Sequence, residues 1–373
     1  MDFEKFINEQ LAQLESQHQL RQLSEVADSS GMLNLSSNDY LGLSQDMKLY
    51  EEFYNELPYD KYNLSASSSR LLTGNHKYYT EAENLLSGMY GGRAALIFNS
   101  GYHANIGILP ALSSKADLIL GDKLNHASII DGCQLAQADF KRYNHLDYVH
   151  LENMLKNRNE YQHAFIVTES VFSMDGDIAD LEKLVEIKEK YNCILIVDEA
   201  HAIGVFGDKG CGLCEDLGLI NDIDIIIATF GKAICSSGAC VITSEPVKQF
   251  LVNKMRSLIF TTALPPVVLS WTSFILEKVI AMNDRRRYLI NISNILRKGL
   301  EQKGFATAGK SQIVPLILGE NEKALDMADK LRQANFQVFA IRPPTVPQGT
   351  ARLRFSLNAA LAETDIEKIL ISL

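Results

Sequence analysis

Five short apolar runs between residues 94 and 239 are each followed by polar residues that could take part in catalysis. Together they supply an amine, a carboxylate, imidazoles, hydroxyls and a glycine-containing turn, at Ser100, Gly101, Tyr102, His126, Ser173, Asp198, His201, Thr229 and Lys232. Such a set suits a cofactor with an aldehyde, a ring nitrogen and a phosphate, because these groups bind an amine, a carboxylate and backbone N–H groups respectively. The inventory therefore predicts pyridoxal phosphate.

Each part of this cofactor has a candidate partner in the chain. Lys232 is the predicted anchor for the aldehyde, and Asp198 is the predicted partner of the ring nitrogen. The turn at residues 100–102 can present N–H groups at a helix start and Thr229 adds a hydroxyl, so both are assigned to the phosphate. His126 offers an aromatic face to the ring, although its spacing fits a structural role as well.

The elements that position these residues follow from the apolar runs, which are 94–98, 118–120, 164–167, 193–197 and 223–228. Each run is continuously apolar, which is typical of strands buried on both faces. Because helix-like stretches separate the runs, the pattern predicts a mostly parallel sheet covered by helices. Ligands of such sheets bind at the carboxyl ends of the strands, where the candidate residues lie.

The pattern changes after Pro265 and Pro266, where a long helical stretch leads to strand-like segments at 313–318, 337–341 and 351–357. We predict an N-terminal segment at 1–45 that packs with the smaller domain, a large cofactor-binding domain at 46–284, and a small C-terminal α/β domain at 285–373. The predicted fold class is thus α/β, with a large mostly parallel domain and a smaller α/β domain.

Composition excludes several classes of function. The net charge of -10 disfavours nucleic acid as a partner. We expect a cytoplasmic protein without membrane association, because no signal peptide or long apolar run is present. The pair Cys211 and Cys214 has no second close pair of cysteines, so no metal site is predicted.

One rival interpretation comes from residues 194–201, which read ILIVDEAH and resemble a segment of DEAH-type ATPases. That class needs a phosphate loop of the form G-x-x-x-x-G-K-[ST]. Gly231 and Lys232 are followed by Ala233, and no glycine stands at the required earlier position. The ATPase interpretation is therefore disfavoured.

Seven segments together resemble the α-oxoamine synthases, a family of fold-type I pyridoxal-phosphate enzymes with the aspartate aminotransferase fold. They are LNLSSNDYLGLS (33–44), SRLLTG (69–74), NSGYHAN (99–105), NHAS (125–128), TESVFSMDGD (168–177), DEAHAIGVFG (198–207) and TFGKA (229–233). Their order and spacing also fit the family, and the resemblance covers nearly the whole chain.

The resemblance implies a role for each candidate. It implies Lys232 as the Schiff-base lysine, Asp198 on the ring nitrogen and His126 stacked on the ring. We expect His126 also to donate a hydrogen bond to the keto oxygen. It further implies a homodimer with sites at the subunit interface. The remaining implied contacts are Ser173 and His201 near the phenolic oxygen, Thr262 at the neighbouring subunit's phosphate, and Asn38 in the substrate region.

Family members differ in their substrates, and the tail at 340–357 distinguishes them best. This tail, AIRPPTVPQGTARLRFSL, is similar to the branch that condenses L-alanine with a pimeloyl thioester of coenzyme A or acyl carrier protein in biotin biosynthesis. There the resemblance implies that Arg354 binds the amino-acid carboxylate, and Arg21 is the basic candidate upstream. Glycine acetyltransferase, 5-aminolevulinate synthase and serine palmitoyltransferase (SPT) share the cofactor residues and stay open as alternatives. The segment SASSS at 65–69 replaces glycines common in the family, so the acyl-chain preference is open too.

Overall fold

A computed structural model describes residues 2–17, 19–20, 23, 31–57, 63–158 and 160–373 of the chain. The chain divides into two compact units. The larger unit consists of Asn38–Ser173 and Asp177–Leu289. The smaller unit consists of Met1–Ser37, Met174–Gly176 and Ile290–Leu373. Arg21 lies outside the described residues.

A seven-stranded sheet forms the centre of the larger unit. Its strands are β2 (Ala94–Phe98), β3 (Leu118–Asp122), β4 (Asp139–Tyr143), β5 (Ala164–Glu169), β6 (Ile194–Asp198), β7 (Ile225–Thr229) and β8 (Ala239–Thr243). Their spatial order is β2-β8-β7-β6-β5-β3-β4. Only β8 runs antiparallel to its neighbours, β2 and β7, so the predicted mostly parallel sheet is confirmed.

The five predicted runs are all strands of this sheet, and their carboxyl ends lie at one edge. Apolar side chains are buried on both faces of the sheet, which explains why the runs are continuous rather than alternating in polarity. Strand β4 lacks that signal, because it is an edge strand with exposed polar residues. Strand β8 is apolar and buried, but it follows β7 without an intervening helix.

Helices connect and cover these strands. Those of the larger unit are α2 (Met47–Glu56), α3 (Lys77–Met89), α4 (Gly101–Leu112), α5 (Ala127–Leu135), α6 (Tyr148–Lys156), α7 (Leu181–Tyr191), α8 (Leu213–Asp216), α9 (Glu245–Lys254), α10 (Arg256–Ile259) and α11 (Pro266–Ile280). A π-helical turn spans Arg70–Gly74. Helix α12 (Asn283–Gln302) crosses from the larger unit into the smaller one, and α11 ends separately before it, so the predicted long helical stretch is two helices.

The smaller unit has two small sheets. Strands β11 (Ala340–Ile341), β12 (Ala351–Ser356) and β9 (Ile313–Gly319) form an antiparallel sheet in that order, and β1 (Leu33–Asn34) pairs in parallel with β10 (Phe336–Gln337). The helices are α1 (Phe3–Ser16), α13 (Asn321–Gln333), α14 (Glu363–Ser372) and most of α12. The predicted strand at 337–341 is therefore two short strands that belong to different sheets.

Among the described residues, no helix is long and apolar enough to cross a membrane. The same residues contain no cluster of His, Cys, Asp and Glu that could hold a metal ion. All six cysteines are free thiols, and five of them are buried.

Candidate active site

A cavity of about 320 Å³ lies in the larger unit at the carboxyl edge of the seven-stranded sheet. Nine of the residues singled out from the sequence line it. They are Asn38, Ser100, Gly101, Tyr102, His126, Asp198, His201, Thr229 and Lys232. The sheet thus brings together residues that are far apart in the sequence, because the ends of β2, β3, β5, β6 and β7 meet at this edge.

Lys232 lies in the loop between β7 and β8, and its amine is held by a chain of polar groups. The Nζ atom is 2.9 Å from His201 Nε2. On the other side of the ring, His201 Nδ1 is 2.6 Å from the Tyr40 hydroxyl, which donates to Asn38 Oδ1 at 3.1 Å. Because His201 is only 4% exposed, these hydrogen bonds fix its imidazole ring and give the lysine amine a defined position.

The lysine loop turns back sharply on the sheet. The Phe230 N–H donates to the Gly238 carbonyl at 2.9 Å, which closes the loop. Gly238 has φ 110°, and an added Cβ there would lie 2.9 Å from the Phe98 carbonyl oxygen. Only glycine accommodates both conditions, so the sequence of this loop sets where Lys232 enters the cavity.

Asp198 is the last residue of β6 and is 3% exposed. Its Oδ2 accepts a hydrogen bond from Asn105 Nδ2 at 2.8 Å, and its Oδ1 accepts from the Ala200 N–H at 2.8 Å. Asn105 also donates to the Ser128 hydroxyl at 2.9 Å. Neutral donors therefore satisfy this buried carboxylate, and no described lysine or arginine forms an ion pair with it within 4 Å.

His126 caps the first turn of α5. Its Nδ1 accepts from the Ser128 N–H at 3.2 Å and lies 2.7 Å from the Ser128 hydroxyl. Its own backbone N–H donates to Glu169 Oε1 at 2.5 Å. Burial lowers the pKa of His126, with nearby Asp198 acting in the opposite direction, so the neutral imidazole is favoured.

The phosphate candidates form a cradle at the start of α4. Ser100 is the N-cap, and its hydroxyl accepts from the His103 N–H at 3.2 Å. A Cβ on Gly101 would stand 2.4 Å from Thr229 Cγ2, so this helix start tolerates no side chain beside β7. Tyr102 contributes to the cavity wall, while its hydroxyl donates to Asp131. Because Gly101 has no side chain, an anion can approach the first N–H groups of this twelve-residue helix. An anion binds favourably at such a helix start.

These groups fit pyridoxal phosphate. The lysine amine suits its aldehyde, the carboxylate of Asp198 suits its ring nitrogen, and the helix start beside Gly101 and Thr229 suits its phosphate. The neutral ring of His126 suits a flat face of the cofactor.

Other predicted contacts are not among the residues that line the cavity. Ser173 is half-buried in the loop after β5. Thr262 is exposed, and its carbonyl accepts from Asn99 Nδ2 at 2.7 Å. Arg354 belongs to the smaller unit, where it is 8% exposed in β12 opposite Pro315.

Several cavity residues were not singled out from the sequence, and Glu169, Asn105 and Ser128 are the most informative. Glu169 ends β5 beside Asp198 in the parallel pair β5–β6. Burial and the negative charge of Asp198 raise the pKa of Glu169 to about 8. Asn105 is four residues after Gly101, which places both on one face of α4, and this i,i+4 spacing could have identified it.

Comparisons with known proteins agree with this geometry. The family model described as aminotransferase class I and II matches residues 30–373. An 8-amino-7-oxononanoate synthase from Chlorobaculum parvum is 48% identical over 383 residues, which cover 99% of this chain and 98% of that protein.

Solved structures are similar as well. A structure described as SPT with PLP has a TM-score of 0.90 and 30% identity, covering 99% of this chain and 96% of its own. The crystal structure of an 8-amino-7-oxononanoate synthase from Francisella tularensis has a TM-score of 0.79 and 32% identity, covering 92% of this chain and 97% of its own.

Proposed function

The chain belongs to the class I and II aminotransferase family, and from this premise we propose that it condenses L-alanine with a pimeloyl thioester to form 8-amino-7-oxononanoate. It would act as a pyridoxal-phosphate-dependent acyltransferase of the α-oxoamine synthase type, in biotin biosynthesis and in the cytoplasm. The relative with 48% identity over nearly the full length of both chains supports this choice of reaction.

The observation that carries the proposal is the meeting of Lys232, Asp198 and His126 around one cavity. When bound, pyridoxal phosphate supplies an aldehyde that links to amines and a ring that draws electrons from the adjacent carbon. Asp198 would keep a proton on the ring nitrogen, and neutral donors already hold this carboxylate in place. His126 would cover one face of the ring.

Lys232 would have two successive duties. Its amine would anchor the cofactor until alanine replaces it, and it would then take the proton from the alanine Cα. The hydrogen bond to His201 Nε2, backed by Tyr40, would hold the released amine where it can reach that proton. The same amine would return a proton to this carbon at the end of the cycle.

The bonds formed and broken in the proposed condensation balance. A carbon–carbon bond forms between the alanine Cα and the thioester carbonyl carbon, and the carbon–sulfur bond breaks to release the thiol. The alanine carboxylate leaves as carbon dioxide, and a proton takes its place. His126 would donate a hydrogen bond to the keto oxygen during this step.

The substrate and subunit contacts are proposals that rest on the resemblance. Arg354 would bind the alanine carboxylate, since a guanidinium offers two parallel hydrogen bonds to a carboxylate. Asn38 and Arg21 would contribute further substrate contacts. In a homodimer, Thr262 would reach the phosphate in the neighbouring subunit, and Ser173 would lie near the phenolic oxygen.

A second candidate is another α-oxoamine synthase reaction, because the SPT structure superposes with a TM-score of 0.90. The TM-score measures the shared fold, whereas substrate choice depends on individual side chains. We therefore give more weight to the 48% identity with the oxononanoate synthase.

The test is a matrix of substrates. Purified protein with pyridoxal phosphate is incubated with alanine, glycine or serine against acetyl, succinyl, pimeloyl and palmitoyl thioesters, and free thiol and carbon dioxide are measured. We expect the highest kcat/KM for alanine with the pimeloyl donor, on either coenzyme A or acyl carrier protein. Preference for glycine with acetyl donor, or for serine with palmitoyl donor, would overturn the proposed substrates.

A further inference from the structure

His145 lies in the loop after β4 and bridges two carboxylates that the proposed mechanism does not use. Its Nδ1 is 2.9 Å from Asp122 Oδ1, and its Nε2 is 3.1 Å from Asp177 Oδ2. The ring also packs edge-on against Phe172, with centroids 4.5 Å apart. Both ring nitrogens thus face acceptors, an arrangement that only the doubly protonated imidazolium satisfies.

Asp122 connects this arrangement to the turn that carries His126. It is fully buried at the end of β3, and its Oδ1 also accepts from the Leu124 N–H at 2.8 Å. Its Oδ2 accepts from the Leu146 N–H at 3.0 Å, and its carbonyl accepts from the Asn125 N–H at 3.2 Å. The backbone of residues 122–125, the first half of the turn, therefore depends on the position of the Asp122 carboxylate.

The second half of the same turn is attached to β5. Asn125 Nδ2 donates to the Val167 carbonyl at 2.9 Å, and the His126 N–H donates to Glu169 at 2.5 Å. A buried carboxylate that loses a charged partner is stabilised by moving toward water or by taking up a proton. Either change at Asp122 would alter the path of the backbone into His126.

Asp177 ties the arrangement to the loop after β5. Its carbonyl accepts from the Phe172 N–H at 2.9 Å, and a bridge between Val171 and Ile178 closes the loop. His145 therefore joins the end of β3 to the loop after β5.

We propose that His145 is a positioning residue, which bridges Asp122 and Asp177 and thereby fixes the turn that presents His126 to the cofactor. His145, Asp122 and Asp177 are called the clamp below. The proposal rests on the proposed function in one respect, since it takes His126 to contact the cofactor.

The charge of the clamp gives it a pH dependence. Burial opposes the charged ring, but the hydrogen bonds and charges of Asp122 and Asp177 outweigh it and raise the pKa of His145 from 6.5 to about 9. Other titratable groups surround the clamp, and burial raises the pKa of Tyr143 and Tyr148 and thus favours their neutral forms. Further titratable groups on the neighbouring elements include Lys123, Arg142, Asp147, His150, Glu169 and Asp180.

The sign of the effect follows from the raised pKa. The folded protein holds the proton on His145 more tightly than the unfolded chain does, so the clamp stabilises the fold fully below pH 6.5. This contribution is lost as the pH rises through about 9.

The test compares the holoenzyme with His145→Gln, which keeps hydrogen-bonding groups but no charge. We expect an altered visible circular dichroism of the bound cofactor and a kcat lower by roughly tenfold to a hundredfold, with little change in KM for the thioester. We also expect the Tm difference between the two proteins to be largest below pH 6.5 and to shrink as the pH rises through about 9, where the wild-type ring becomes neutral. The matched control is His163→Gln, since His163 also contacts a carboxylate, Asp117 at 2.9 Å, but its side chain is 55% exposed.

Several outcomes decide the matter. An unchanged cofactor signal and kcat in His145→Gln, or a Tm difference that does not vary with pH, would overturn the proposal. Absence of the cofactor signal in the wild type would instead count against the proposed function, while the Tm series would still test the clamp. If His145→Gln does not fold, Asp177→Asn replaces it, and we expect alkaline destabilisation to begin at lower pH because one of the two anions is removed.

Discussion

His126 and His145 lie on the loops that follow the neighbouring strands β3 and β4, and their surroundings favour opposite charge states. Burial lowers the pKa of His126, whose Nδ1 pairs with the Ser128 hydroxyl at 2.7 Å. Two carboxylates raise the pKa of His145 to about 9. A neutral ring thus lines the cavity, and a charged ring holds the loop behind it.

The same division applies to the aspartates at the ends of the strands. Asp198 in the cavity is held by the neutral donors Asn105 and Ala200, so its charge is not matched by a described cation within 4 Å. Asp122 in the clamp is matched by the ring of His145. The cavity therefore keeps its charge available for a ligand, whereas the clamp uses its charges to stabilise the fold. Substitutions should separate these two roles.

The largest expected effect comes from Lys232→Ala. A general base typically contributes roughly 10² to 10⁴ in rate, and this lysine would be both base and anchor, so we expect kcat to fall by at least that range. The visible absorbance of the bound cofactor should shift because no protein amine holds its aldehyde. The Tm of the cofactor-free protein should stay nearly unchanged, since Lys232 lines a cavity rather than the core.

The control for this variant is Lys209→Ala, because Lys209 is an exposed lysine in a loop of the same unit. It should retain the spectrum and the activity. Wild-type activity in Lys232→Ala would refute the anchor, and a large loss of stability in the cofactor-free variant would contradict the separation of cavity and clamp.

The next effect in size is expected for Gly101→Ala. The added Cβ would stand 2.4 Å from Thr229 Cγ2, so either α4 or β7 must shift. Overpacking of this kind costs about 1–3 kcal/mol, and if the shift moves the N–H groups at the helix start, cofactor affinity falls by roughly tenfold or more. Equilibrium dialysis of pyridoxal phosphate measures the loss.

The double variant Gly101→Ala with Thr229→Ser removes Cγ2 and keeps the hydroxyl. It should recover most of the affinity, because the clashing methyl group is gone. Equal losses in the single and double variants would show that the contact with Thr229 is not what the glycine is required for.

The sequence allowed prediction of the cavity residues that follow strongly apolar strands. Lys232, Asp198 and Thr229 stand at the ends of β6 and β7 or just after them, where polar residues follow a buried run. Parallel strands place such ends at one edge, so local pattern and topology were sufficient. The edge strand β4 lacks an apolar run because its side chains are exposed, and it was missed.

The clamp could not be predicted in this way. His145 contacts Asp122 and Asp177, which are 23 and 32 residues away in the sequence; Asp122 ends β3, and Asp177 lies in the loop after β5. No periodicity or motif relates the three, since only the tertiary fold brings them together. Glu169 was missed for a similar reason, because a carboxylate at a strand end gives no local sign that it is buried beside Asp198.

The smallest expected effect concerns Glu169, which lies between the two regions. It lines the cavity, and it also accepts the His126 N–H at 2.5 Å. Burial and nearby Asp198 raise its pKa from 4.5 to about 8. The folded cofactor-free protein therefore retains a proton that the unfolded chain releases, and its stability falls as the pH rises from about 4.5 to about 8.

Glu169→Gln cannot lose a proton in this range, so it should lack this part of the decline. We expect the unfolding free energy of the cofactor-free variant, measured in urea, to fall less between pH 5 and pH 8 than that of the wild type. The control Glu182→Gln, at an exposed glutamate in α7, should follow the wild type. Parallel pH curves for Glu169→Gln and the wild type would mean that Glu169 is already ionised at low pH. The cavity would then hold two adjacent anions, Glu169 and Asp198, and its contrast with the paired charges of the clamp would be sharper.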